Sequence, residues 1–351
     1  MYITGGIGSS GSNEGFSIDY DLPNEQAYCE TCASVGMVFW NQRMNLLTGE
    51  SKYFDVLERS LYNGALDGLS LSGDKFFYGN PLASNGKHFR REWFGTACCP
   101  ANIARLVSSL GDYIYNKSNE AVWINLYVSS QTKLAMGKTP VLIEQKSNYP
   151  WDGEVIVAVN PEKKSKFSVM LRLPGWATGE TVPGGLYHFE KAANSSILVK
   201  VNGKDFAYTA DKGYAVIARE WKKGDVISLS LPMDVNEVSS RETIKANEGR
   251  IALQRGPLVY CVEGADNDGQ AWNFVVPDNT QYTITYNSGL LKGIVTIQAN
   301  VPAVKIGADG LSINTKTKTI TAIPYYSWCN RGSNPMQVWL PRKIKDIKLN
   351  Y

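Results

Sequence analysis

Apolar residues recur every three or four positions in the first third of the chain, then in short alternating or β-branched runs. Phe54, Leu57, Leu61, Ala65 and Leu69 trace one stripe of a helix that Ser51 is placed to cap. Ile103, Leu106, Val107, Leu110 and Ile114 trace another helix starting at Pro100, since proline is tolerated in a first turn where its missing N–H is not needed. The run from Thr31 to Leu47 reads as a third. From about Glu120 onward the runs Val122 to Val128, Val155 to Val159, Phe167 to Leu173, Ile197 to Val201, Ala215 to Ala218, Val226 to Leu231 and Leu258 to Val262 predict strands. Turn pairs such as Asp152-Gly153 and Asn202-Gly203 separate them. The pattern predicts a mixed multidomain chain: helices with functional loops over residues 1–117, a β-sandwich over 118–235, and over 236–351 a second sandwich or a continuation of the first.

Composition narrows the function classes. With 351 residues, 43% hydrophobic and 20% charged, the chain is ordinary for a folded globular protein and far from disorder. Its 36 basic and 33 acidic residues are interspersed, giving no basic stripe for phosphates, so nucleic acid is not an expected partner. The longest apolar stretch, Ala33 to Trp40, falls far short of the ~20 residues of a membrane span, so no membrane partner is expected either. Met1-Tyr2-Ile3-Thr4 runs directly into a glycine-rich loop without the order of a signal peptide.

Six cysteines are too few for a disulfide scaffold, and four of them, at 29, 32, 98 and 99, fall in the first hundred residues. Thiolates and carboxylates are good zinc ligands, and zinc favours four of them in a tetrahedron. Two sets compete. One is Cys29, Cys32, Cys98 and Cys99; the other replaces Cys29 with Glu30. Residues 29 and 32 share a helical face, whereas 30 and 32 converge only where a helix begins. Cys98 and Cys99 precede Pro100 at a helix N-terminus, where the dipole favours a thiolate. Cys261 and Cys329 read as buried free thiols.

Gly6-x-Gly8-x-x-Gly11 has the spacing of a dinucleotide fingerprint but neither the preceding strand nor the βαβ context, and reads as a flexible or substrate-facing loop. The same missing context argues against a redox role for Cys29-x-x-Cys32. Glu14, like Asp19, Asp21 and Glu25, reads by itself as a surface carboxylate.

Tyr2-Ile3-Thr4-Gly5-Gly6, Tyr20-Asp21-Leu22-Pro23-Asn24, Glu30-Thr31-Cys32-Ala33, Tyr78-Gly79-Asn80-Pro81-Leu82, Trp93-Phe94-Gly95, Cys98-Cys99-Pro100-Ala101-Asn102-Ile103-Ala104-Arg105 and Gln254-Arg255-Gly256-Pro257-Leu258-Val259-Tyr260 occur in this order. Together they resemble glycoside hydrolase family 127 and its relative family 146, the β-L-arabinofuranosidases, from Met1 to at least Glu263.

The resemblance implies the C-terminal part of an (α/α)6 barrel followed by β-sandwich domains. It implies zinc held by Glu30, Cys32, Cys98 and Cys99, with Cys98 also the nucleophile, Glu14 the general acid/base and Tyr78 an active-site tyrosine meeting the sugar. The family's upstream sugar-binding histidines have no counterpart here, and Cys29 stands where the family pattern calls for no ligand. The implied activity is release of β-L-arabinofuranose from plant-derived glycans or arabinosides, in the periplasm or cytoplasm of a bacterium. The same machinery acting on branched acidic pectin sugars is one rival reading, and a non-catalytic carbohydrate-binding or structural remnant is another. Exposed apolar helix faces add an expectation of self-association into a homo-oligomer.

Overall fold

The computed structural model describes residues 1–191, 196–307 and 312–347. Helices α1 (Thr31–Thr48), α2 (Lys52–Arg59) and α3 (Cys98–Ser109) share one apolar core. Val35 and Val38 of α1 meet Phe54 and Leu57 of α2 and Ile103 and Leu106 of α3 there. Helix α1 matches the expected span within a residue. It stops at Gly49, whose left-handed φ of 71° lets its N–H reach back to the Asn45 carbonyl.

The other two helices depart from expectation. Ser51 makes no side-chain cap; it is already helical, and its N–H is taken by the Lys212 carbonyl. The stripe from Phe54 to Leu69 is not one α-helix, because the backbone widens into a π-helix over Ser60–Ala65 and leaves helical geometry at Leu69. Side-chain bonds hold that segment: Asn63 Nδ2 donates to the Arg59 and Pro257 carbonyls, and Arg59 donates to Gln254 and to the Thr181 carbonyl. The Gln254-to-Tyr260 motif thus grips the end of α2. Helix α3 begins at Cys98, two residues before Pro100, and Val107 faces solvent.

Two sheets follow, facing each other across one core. One runs in the spatial order Lys204–Asp205, Leu198–Val201, Asp225–Ser230, Glu154–Pro161, Thr139–Ser147, Ser130–Met136. The other runs Thr209–Asp211, Tyr214–Trp221, Ser165–Arg172, Ala121–Ile124, Tyr115–Lys117. Alternation fixes which face is inside: Val155, Val157 and Val159 of the first meet Val169, Leu171, Ala215 and Ile217 of the second. Asn202 and Gly203 both adopt positive φ, 52° and 78°, as a two-residue hairpin turn requires. The expected strand from Val122 ends early, at Ile124. Buried Asn125 breaks it, because its carbonyl accepts from Arg172 and its side-chain oxygen from Tyr214.

A third sheet is built mainly from residues 235–341. It also takes in Tyr187–Phe189 and Ala83–Asn85 from earlier in the chain. Its strands Arg250–Arg255 and Leu258–Glu263 bury both faces, and one face covers Tyr2, Ile3, Cys29 and Phe77 of the N-terminal segment. The helical part is therefore seated on sheet rather than tethered to it.

Glu58 of α2 is the polar rivet between the helices and the paired sheets. It accepts from Arg172 at 2.5 Å, Tyr149 at 2.7 Å and Trp176 at 3.1 Å, all buried. Truncating it leaves those donors without this acceptor. Glu58→Ala is expected to cost about 3–5 kcal/mol in urea unfolding, and Glu58→Gln, which keeps the shape and one acceptor, distinctly less.

Candidate metal centre and active site

The entry to α1 decides which side chains meet. Cys29 has a φ of +36°, which reverses the chain just before the helix. Glu30 is extended, at φ −57° and ψ 138°, and its backbone bridges to Gly79. Thr31 completes the clamp: its N–H donates to the Tyr78 carbonyl and its hydroxyl to that of Phe77, each at 2.9 Å. Glu30 and Cys32 consequently project together, while Tyr78 is brought alongside. Cys98 and Cys99 enter as the first two residues of α3.

These four side chains converge. Donor atoms of Glu30, Cys32, Cys98 and Cys99 all lie within 4.8 Å of one another. Glu30 Oε1 is 3.4 Å from Cys98 Sγ and 3.8 Å from Cys99 Sγ. Cys99 Sγ is 3.4 Å from Cys32 Sγ and 3.8 Å from Cys98 Sγ. A tetrahedral zinc with sulfur ligands at ~2.3 Å sets them roughly 3.8 Å apart, so the spacing and the soft donor set fit such an ion. All six cysteines are free thiols, and Cys261 and Cys329 are buried as expected.

Cys29 lies outside the converging group. Cys29 is fully buried in the core beneath the third sheet, its sulfur so close to Gly6 that a Cβ there would stand 2.9 Å away. Burial pushes its thiol pKa up. The Cys29-x-x-Cys32 spacing is also not helical, because α1 begins only at Thr31.

Burial likewise raises two of the converging thiols, Cys32 and Cys99. Cys32 is pushed up to about 12, a rise that the hydrogen bond from Asn102 opposes, and Cys99 is raised as well. A divalent cation among them reverses this, because its charge favours the thiolate.

Tyr78 stands over the cluster, its hydroxyl 3.9 Å from Cys98 Sγ and its ring edge-on to Phe94. Tyr28, which no motif or spacing singles out, donates its hydroxyl to Glu30 Oε2 at 3.3 Å. That leaves Oε1 turned toward the sulfurs. The glycine-rich loop explains how Tyr28 is held: a Cβ on Gly8 would stand 3.1 Å from one edge of its ring, and one on Gly11 3.6 Å from the other. The glycines give Tyr28 a slot, a packing use of a spacing that otherwise mimics a nucleotide motif. Glu14 lies exposed at the turn of the same loop, with φ +51° and outside the four-donor cluster, near enough that its charge helps raise the Tyr28 phenol. Asp19 and Glu25 remain exposed carboxylates, and Asp21 accepts a hydrogen bond from Ser17.

Comparison with known proteins places this arrangement. A family model described as "Beta-L-arabinofuranosidase, GH127 catalytic domain" matches residues 1–112. The family's middle-domain model matches 121–233 and its C-terminal-domain model 235–341. A non-reducing end β-L-arabinofuranosidase of Bifidobacterium longum subsp. longum is 36% identical over 97% of this chain and 53% of its own length. A solved family 127 β-arabinofuranosidase superposes with a TM-score of 0.95 at 42% identity, over 99% of this chain and 55% of that one. The β-L-arabinofuranosidase of Geobacillus stearothermophilus T6 gives 0.89 at 40%, over 98% and 54%. The chain thus spans about half the length of the relatives it matches. With matches to all three domain models in order along the sequence, this chain belongs to glycoside hydrolase family 127.

Proposed function

We propose that this chain carries the thiolate half of a retaining exo-glycosidase that releases β-L-arabinofuranose from plant-derived glycans or arabinosides. The observation that carries the reading is the convergence of Glu30, Cys32, Cys98 and Cys99 beneath the Tyr78 hydroxyl. In this reading α1, α2 and α3 are the C-terminal part of an (α/α)6 barrel and the facing sheets are its sandwich domains. Glu30, Cys32, Cys98 and Cys99 would hold zinc, which when bound keeps the thiols ionised at neutral pH.

The residues then divide the work. Cys98 Sγ forms a bond to the anomeric carbon as the bond from that carbon to the departing oxygen breaks, and Glu14 gives its proton to that oxygen. In the second step Glu14 takes a proton from water, whose oxygen attacks the anomeric carbon and frees Cys98. Two displacements retain the configuration. Tyr78, fixed by the clamp at the start of α1, is placed to meet the sugar ring.

A second reading is a non-catalytic carbohydrate-binding or structural role, in which the four-donor cluster holds the fold. Turnover of a chromogenic β-L-arabinofuranoside separates the two, measured on this chain and on a protein extended upstream to the relatives' full length. The extended protein is expected to turn over, and this chain alone to be at least about 100-fold slower, because positioning groups from the remaining half supply several kcal/mol. An extended protein that binds but never cleaves the arabinofuranoside supports the non-catalytic role instead.

A further inference from the structure

Asn102 lies one helical turn beyond Cys98 on α3, and its side-chain amide meets the cluster from outside. Its Nδ2 donates to Cys32 Sγ at 3.1 Å, while its Oδ1 accepts from Arg105 Nη2 at 2.8 Å. The amide cannot be turned the other way. A guanidinium only donates, so the atom facing Arg105 must be the oxygen, and the atom facing sulfur must be the N–H₂ group. Arg105 is itself placed by the Phe39 ring of α1, with its guanidinium carbon 5.3 Å from the ring centroid.

We infer that Asn102, locked in this orientation by Arg105, is a positioning residue for the metal centre: it holds the Cys32 sulfur by an N–H···S bond and offsets its negative charge. The inference rests on the metal reading given above. Its physical basis is a charge excess, because three thiolates and a carboxylate exceed a divalent cation by two negative charges in a partly buried site. A hydrogen bond to a ligating sulfur, backed by a cation, relieves that excess without occupying a ligand position. Cys32 is also the ligand most in need of it, since it comes from α1 while both other sulfurs come from the first turn of α3.

The test uses the purified chain, with zinc affinity read by competition against a chromophoric chelator and cobalt(II) substituted as a spectroscopic probe. Asn102→Leu keeps the volume and removes the donor, and is expected to weaken zinc about 10- to 100-fold. It should also move the sulfur-to-cobalt charge-transfer band to lower energy, because a thiolate without its hydrogen bond gives up an electron more readily. Asn102→Asp puts a carboxylate against the sulfur and should weaken zinc further. Arg105→Met frees the amide to turn and should shift the band in the same direction, whereas Arg105→Lys, which keeps a donor for Oδ1, should restore it. Circular dichroism melting separates these effects from loss of fold. A parent chain that binds zinc, with Asn102→Leu matching it in affinity and band position, overturns the role of Asn102 alone. A parent chain that binds neither metal overturns the metal reading and this inference together.

Discussion

Cys98→Ser is expected to abolish the covalent glycosyl-enzyme and to lower turnover by about 10⁴-fold or more in the protein extended to the relatives' length. Both roles proposed for Cys98 fail together in serine. Its hydroxyl is a poor ligand beside Glu30 Oε1 and Cys99 Sγ, which flank the sulfur at 3.4 and 3.8 Å. It is also a far weaker nucleophile than a thiolate at neutral pH. Intact-protein mass spectrometry during turnover of a slow substrate reads the result directly. The parent should gain the mass of one pentofuranosyl unit on the peptide containing Cys98, and the serine variant none. Wild-type turnover by Cys98→Ser removes it as the nucleophile.

Glu14→Gln should show the second-largest effect, and one that depends on the leaving group. Glutamine keeps the shape of the side chain but neither gives nor takes a proton, a loss worth about 10²- to 10⁴-fold where protonation is needed. An alkyl arabinoside should therefore slow through that range. A nitrophenyl arabinoside, whose leaving group departs unprotonated, should form the covalent species almost normally and then accumulate it. Glu14 sits exposed on the glycine loop that holds Tyr28, and Tyr28 donates to Glu30. Equal slowing of covalent-species formation from both substrates assigns Glu14 a different role.

Much of this was readable from the chain, and what was not has physical causes. Helix α1 was legible because its periodicity and its glycine stop agree, and the convergence of residues 30, 32, 98 and 99 followed from cysteine spacing plus family resemblance. The choice of Glu30 over Cys29 was open in spacing alone. It turned on a single backbone reversal at Cys29, imposed by the clamp to residues 77–80 and far away in sequence. The π-helical segment after α2 was hidden for a similar reason, since its partners Pro257 and Gln254 lie on the third sheet. Ser130–Met136 exposes Gln131 and Lys133 on one face, and the first half of Ile313–Pro324 is exposed threonine and lysine on both, so hydrophobicity alone understated them. Tyr28 and Asn102 each make one hydrogen bond to a member of the four-donor cluster, and neither leaves a periodicity or a spacing to find.

The central claim is that Glu30, Cys32, Cys98 and Cys99 form a zinc site, and elemental analysis under reducing conditions tests it most directly on four proteins: the parent chain, Cys29→Ser, Glu30→Gln and Cys32→Ser. About one zinc per chain is expected in the parent and in Cys29→Ser, weakened retention in Glu30→Gln, and loss in Cys32→Ser. A parent chain without any transition metal, or one whose zinc survives Glu30→Gln unchanged but disappears in Cys29→Ser, would contradict it.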